Sequence, residues 1–165
     1  MDILDRLLGH DAWTTRQLVS RCHELTDEQL DREFDIGHRS LRRTLLHMIR
    51  NMEIWTDLMA GQPIRSDQGS DPVGRSVDGL LKRLEAVAVE LATMATRIAR
   101  EGRLDELWVD YLDKPPTRKS YGGAIAHVIT HSMHHRAQVL YLLRLLGVQD
   151  LIEGDVLSWE AQLGK

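Results

Sequence analysis

The sequence predicts an all-α protein built as a four-helix bundle, and three observations carry that expectation. Leu and Ala are abundant and β-branched runs are few, a composition that favours helices. Apolar residues recur at three- and four-residue spacings along four long segments. Those segments, each of roughly 20 to 27 residues, are punctuated by capping residues, Gly and Pro, as in a helix bundle.

The first helix is expected from about Asp2 to Glu24, with Leu4, Leu7, Leu8, Leu18, Cys22 and Leu25 on its inward stripe. Thr26-Asp27-Glu28-Gln29 is a capping box that opens a short helix through about Arg32. Ser40 caps the second long helix, which ends at Gly61. Leu41, Thr44, Leu45, Met48, Met52, Trp55 and Met59 form its stripe. Residues 62–75, rich in Gly, Pro, Asp and Ser, read as a loop. Ser76 caps the third helix, whose stripe from Val77 to Ile98 has no polar break and reads as core wall; Gly102 ends it. Between Leu107 and Tyr121, an alternating Trp108-Val109-Asp110-Tyr111 and a Lys114-Pro115-Pro116-Thr117 turn predict a small hairpin. The fourth helix follows from Ser120 or Tyr121 to Leu146, with Gly147 as C-cap, and a short terminal helix near Asp155 to Gln162 carries Trp159.

The whole chain, 1–165, fits one domain long enough to bury a sizeable core. A net charge of -4 with interspersed signs argues against nucleic-acid binding. No apolar run approaches the roughly 18 residues that span a bilayer. An acid-bearing N-terminus does not resemble a targeting peptide, and a single cysteine excludes an intrachain disulfide. The expectation is a soluble, cytoplasmic protein.

Chemistry enters where apolar stripes are interrupted. The first helix places Asp11 and Thr14 between Leu7 and Leu18; the second carries His47 and Asn51 beside Met48 and Trp55. The fourth carries His127, His131, His135 and Gln138 at spacings of four, four and three. Buried polar groups are costly without partners, and a metal is the simplest partner for several imidazoles. Residues four apart share a helix face, so two such imidazoles can converge on one ion. A third ligand then comes from another helix; His47 has the suitable setting, with His10 the alternative. Three neutral histidines leave a coordination position open, as catalytic sites do. Read without a metal, His10, His23 and His38 are surface or satisfied core residues, Trp13 and Trp55 pack, and Cys22 is a small buried hydrophobe. His134 lies off the face of His135 and reads as a solvated or outlying group. No HExxH is present, which disfavours a metalloprotease.

The segments His10-Asp11-Ala12-Trp13-Thr14-Thr15, Ser40 to His47, and His127 to Gln138 resemble the DinB family, also called the DinB/YfiT-like metalloenzyme superfamily. The likeness covers nearly the whole chain. It implies a four-helix bundle with crossover connections and one divalent metal per chain, held by His47, His131 and His135. Zn suits imidazoles and an open tetrahedral site best, with Ni next. It also implies a thiol S-transferase that joins a low-molecular-weight thiol to a small-molecule electrophile, and a homodimer. Asp11, Thr14, Asn51, His127 and Gln138 are then candidates to line the pocket or orient a ligand. The alternatives are a metal-dependent hydrolase, which needs a base near the metal, and a non-catalytic metal-binding stress-response protein.

Overall fold

The computed structural model describes residues 1–164. Helix α1 (Ile3–Arg21) starts at Asp2, where the Asp2 and Asp5 carboxylates each accept the other's backbone N–H. Cys22–Glu24, expected as its last turn, tightens into a 3₁₀ turn. The Thr26 capping box opens α2 (Asp27–Asp31). Ser40, Ser76 and Ser120 cap α3 (Leu41–Met59), α4 (Val77–Arg100) and α5 (Tyr121–Leu145) through hydroxyls that accept from the third residue on. Asp155 does the same for α6 (Val156–Leu163). Each cap satisfies an N–H that the first helical turn leaves without an internal partner.

Contacts between side chains fix the helix directions. Arg16 meets Glu85 and His23 meets Asp78, so α1 and α4 run antiparallel. His47 lies by His135 and Trp55 by His127, so α3 and α5 are antiparallel too. Glu53 pairs with Arg83, and Ala60 shares a groove with Thr93 and Arg97, so α3 and α4 run parallel. Helix α1 packs against α4 and α5, and α3 packs against the same two, which places α1 diagonal to α3 and α4 diagonal to α5. Two connections therefore cross the bundle end. The third must travel its length: residues 62–75 run back along α3, from Arg65 on Asp57 to the Arg75 carbonyl, which accepts from Arg42.

Between α4 and α5 lies the expected hairpin, β1 (Leu107–Asp110) antiparallel to β2 (Thr117–Ser120), with Leu107 opposite Ser120 and Asp110 opposite Thr117. Its Trp108 is buried and meets Trp55 edge-on at 6.0 Å. The core is aliphatic, with Leu18, Leu45, Met48, Leu84, Leu91 and Leu142 all under 3% exposed. Residue 9 is Gly because the Trp159 indole of α6 lies where a Cβ would stand, 2.4 Å from its Cζ2. No helix is long and apolar enough to cross a membrane among the described residues.

Two details differ from the sequence reading. Leu7 turns outward, 36% exposed, because α1 uses Leu4, Leu8 and Asp11 for its inner face. Helix α4 is more than an apolar wall: Arg83 is buried, and its Nε and Nη2 donate to both oxygens of buried Glu53 at 2.9 Å each. The long aliphatic stem of Arg keeps the stripe apolar in sequence while the head crosses to α3.

Breaking a buried pair strands a charge, whereas replacing both partners by apolar groups of similar size removes the desolvation cost as well. Arg83→Met should therefore destabilise the protein by about 3 kcal/mol in urea unfolding, and Glu53→Leu/Arg83→Met should recover most of that loss. Equal destabilisation by the single and double variants would show that the pair is not coupled.

Candidate metal centre

The antiparallel pairing of α3 and α5 sets three polar rungs face to face. His47 stands by His135, Asn51 by His131 and Trp55 by His127. The Nε2 atom of His131 lies 3.1 Å from Nε2 of His47 and 3.2 Å from Nε2 of His135. Ligands at about 2.0–2.1 Å in a tetrahedral site stand about 3.3 Å apart, so these separations match coordination edges.

The opposite ring nitrogens are held as well. His135 Nδ1–H donates to Gln138 Oε1 at 2.8 Å, and the Gln138 amide donates to His134 at 3.2 Å. That fixes the His135 proton on Nδ1 and leaves its Nε2 lone pair free, the tautomer that a metal ligand needs. His131 is different. Trp55 Nε1–H donates to Asn51 Oδ1 at 3.1 Å, which turns the Asn51 amide nitrogen toward His131 Nδ1 at 3.2 Å. A neutral His131 then carries its proton on Nε2, between His47 and His135. Coordination through that Nε2 moves the proton to Nδ1, where Asn51 presents a donor.

A fourth imidazole joins the group. His38, which the sequence placed at the surface or as a satisfied core residue, stacks on His47 at 3.8 Å and lies 5.2 Å from His135, centroid to centroid. Ligand nitrogens of His38, His47 and His135 all lie within 4.8 Å of one another. The turn that brings it there holds Gly37 at φ 49° and Arg39 at φ 72°. The left-handed conformation costs a residue with a side chain about 1 kcal/mol or more. Gly37 also permits close approach, since a Cβ there would stand 2.5 Å from Gln138 Oε1.

The remaining candidates stand elsewhere. His10 is buried and its Nε2 bonds the Gly154 carbonyl at 2.7 Å, which takes it out of the ligand set. His23 is exposed on Asp78, and His134 and His127 are exposed on α5, His127 against the Trp55 ring at 4.9 Å. Asp11 touches no imidazole of the cluster; it ion-pairs with buried Arg136, which also donates to Thr15. Thr14 is buried, and its hydroxyl has no partner among the described residues. A cleft of about 310 Å³ lies between α3 and the returning loop, lined by Leu46, His47, Arg50, Asn51, Ile54, Asp67 and Gly69, so that His47 is the imidazole of the cluster on its wall. Arg50 supplies its cation. Glu53, the nearest carboxylate on α3, is held by Arg83, and Arg50 reaches it only at 3.5 Å. Sequence spacing gave no sign of Arg50 or of the buried Arg136, since an Arg on a helix most often faces water.

Residues 1–157 match the family model described as the DinB family. The chain belongs to the DinB family. Among solved structures it is similar to a DinB-like protein from Bacillus cereus, at 20% identity and a TM-score of 0.64 over 87% of this chain and 91% of that one. At that identity the likeness establishes the shared fold. No curated protein matches the chain.

In this DinB-family protein His47, His131 and His135 are kept neutral. Burial lowers His47 and His131 to about 4, helped by the neighbouring histidines whose charge each would oppose. His135 is lowered by burial too, against the opposing pull of its bond to Gln138. Neutral imidazole is the form that coordinates a metal.

Two predictions follow from these groups. Asn51→Asp supplies an acceptor to both the Trp55 indole and a His131 Nδ1–H, so Zn affinity should rise about tenfold, whereas Gln138→Leu should lower it about tenfold. Competition with a fluorescent chelator measures both, and an Asn51→Asp affinity at or below wild type would contradict the assigned amide orientation. In metal-free protein the unfolded chain takes up protons near pH 6.5, while folded His47 and His131 resist until about 4. The unfolded state therefore binds more protons across that window, and stability falls as pH drops through it. The urea midpoint of chelator-treated protein should decline from about pH 6.5 to 5, above the range where carboxylates protonate; a flat profile would count against neutral, buried imidazoles.

Proposed function

We propose that this DinB-family protein is a metal-dependent thiol S-transferase that joins a low-molecular-weight thiol to a small electrophile. The observation that carries the reading is His131 Nε2 at 3.1 and 3.2 Å from the Nε2 atoms of His47 and His135, with His47 on the wall of a cleft. His47, His131 and His135 hold one divalent ion, Zn by preference and Ni next. When bound, the ion lowers the pKa of an approaching thiol so that thiolate is available near neutral pH. Gln138 orients the His135 ring. Arg50 binds a carboxylate of the incoming thiol, and the Trp55 and His127 rings wall the side on which the electrophile lies. The thiol gives its proton to water, and its sulfur bonds the electrophilic carbon as a halide departs, or as an epoxide C–O bond opens and the resulting alkoxide takes a proton from water.

A transferase of this kind needs no protein base, and that favours it over hydrolysis. The cleft carboxylates are committed: Glu53 to Arg83, and the exposed Asp67 to the Gly69 N–H. A homodimer belongs to the same reading. Helix α1 leaves Ile3 and Leu7 exposed, and α6, packed on α1, leaves Leu157 and Leu163 exposed. Contiguous exposed apolar surface of that kind marks interfaces.

Purified protein should carry about one divalent ion per chain and lose it in His131→Ala and His135→Ala, as an open three-imidazole site requires. Zn-loaded protein should conjugate cysteine-containing thiols to monochlorobimane, and Arg50→Gln should raise KM for carboxylate-bearing thiols with little change in kcat. Full metal occupancy in both histidine variants, or absence of conjugation over a panel of thiols and electrophiles, would sink the proposal. Light scattering at tens of micromolar should return twice the 18.9 kDa chain mass; a monomer removes the dimer alone.

A further inference from the structure

We infer that His38 is a fourth nitrogen donor to the same ion, so that the resting centre is closed by an imidazole delivered from the loop before α3. The inference rests on the metal-dependent reading above and adds a residue to it. Three observations carry it. The first is position: a ligand nitrogen of His38 lies within 4.8 Å of those of His47 and His135, so a modest shift brings it to the coordination edge of about 3.3 Å. The second is that neither ring nitrogen of His38 has a hydrogen-bond partner among the described residues, although the side chain is half-buried. Among the described residues no group therefore competes for the lone pair of His38, which is open to a ligand.

The third is the backbone that presents it. Phe34 N–H donates to the Arg39 carbonyl and Arg39 N–H to the Ile36 carbonyl, closing a tight turn. Gly37 and Arg39 flank His38, both at positive φ. Glu33 ties the Arg39 side chain at 3.1 Å, and the Gln138 amide lies against Gly37 while holding His135. A side-chain-bearing residue persists in the left-handed region only where its surroundings hold it there, and such sites cluster where a group must be aimed. Here the turn aims His38 back along α3 toward His47, and one amide, Gln138, fixes both the turn and a ligand. With His38 the ion would be held by four imidazoles. His38, carried on a loop, would be the donor most readily withdrawn, since His47, His131 and His135 are anchored in helices.

Cobalt(II) reports coordination number directly: four-coordinate tetrahedral ions absorb strongly in the visible, and five- or six-coordinate ions weakly. Wild-type protein loaded with Co(II) should show the strong bands. His38→Ala and His38→Gln should still bind one Co(II) per chain, with the bands shifted because water stands in for the imidazole nitrogen, and with an affinity at least about tenfold lower. Added free imidazole should restore the wild-type band positions in His38→Ala, which a purely structural role for His38 would not allow. Circular dichroism of each variant checks that the fold is kept. Wild-type bands and affinity unchanged in both variants would overturn the assignment and leave the three-histidine centre standing. Absence of Co(II) binding by wild type, or equal binding by His47→Ala/His135→Ala, would overturn the metal centre itself and the role of His38 with it.

Discussion

Everything at the centre of this molecule depends on α3 and α5 packing antiparallel in one register. That register sets residue 47 against 135, 51 against 131 and 55 against 127, so a slip of one turn would set His47 against His131 or Val139 and part it from His135. Drying His47, His131 and His135 without charge is possible only because each helix also brings apolar neighbours, Met48 and Met52 on one side and Val128 and Val139 on the other. The cost of drying the rings is what holds them neutral, and neutrality is what makes their lone pairs available. Packing and chemistry are thus the same constraint seen twice.

Two buried ion pairs brace this register from outside it. Asp11 of α1 engages Arg136, next to His135, and Glu53 of α3, two residues past Asn51, engages Arg83 of α4. Each pair links a helix of the centre to a helix that contributes no imidazole. Buried pairs of this sort add little net stability but penalise alternative arrangements strongly, because any slip leaves a charge without its partner. The returning loop at 62–75 completes the frame, with Arg65 bridging Asp57 and Glu90 while Asp67 and Gly69 form the cleft's outer lip.

Most of the architecture was legible in the sequence because it is local. Ser40, Ser76, Ser120 and the Thr26 box announce helix starts through bonds to residues three positions away, and the hairpin is announced by its own turn. The His131–His135 spacing is likewise a one-helix property. What lay beyond reach depends on where a chain segment folds back. His38 precedes His47 by nine residues, and the helical stretch from Leu41 to His47 alone rises about 9 Å. Spacing therefore argues for separation, and only the turn at Gly37 and Arg39 reverses it. Arg83 and Arg136 were hidden for a different reason: their heads cross to another helix, and no periodicity on their own helix records the partner. Leu7 was misplaced because the face of α1 is rotated toward the Asp11 pair, a constraint set by α5.

The single cysteine is withheld from chemistry by the fold. Cys22 is wholly buried at the end of α1, its thiol set on the Leu18 carbonyl at 3.5 Å, and burial pushes it up to about 12. At neutral pH almost none of it is thiolate, the form that attacks disulfides and is caught by oxidants. The protein can therefore stand in a pool of small thiols and their disulfides without becoming thiolated itself. Its own sulfur is insulated from the redox traffic around it.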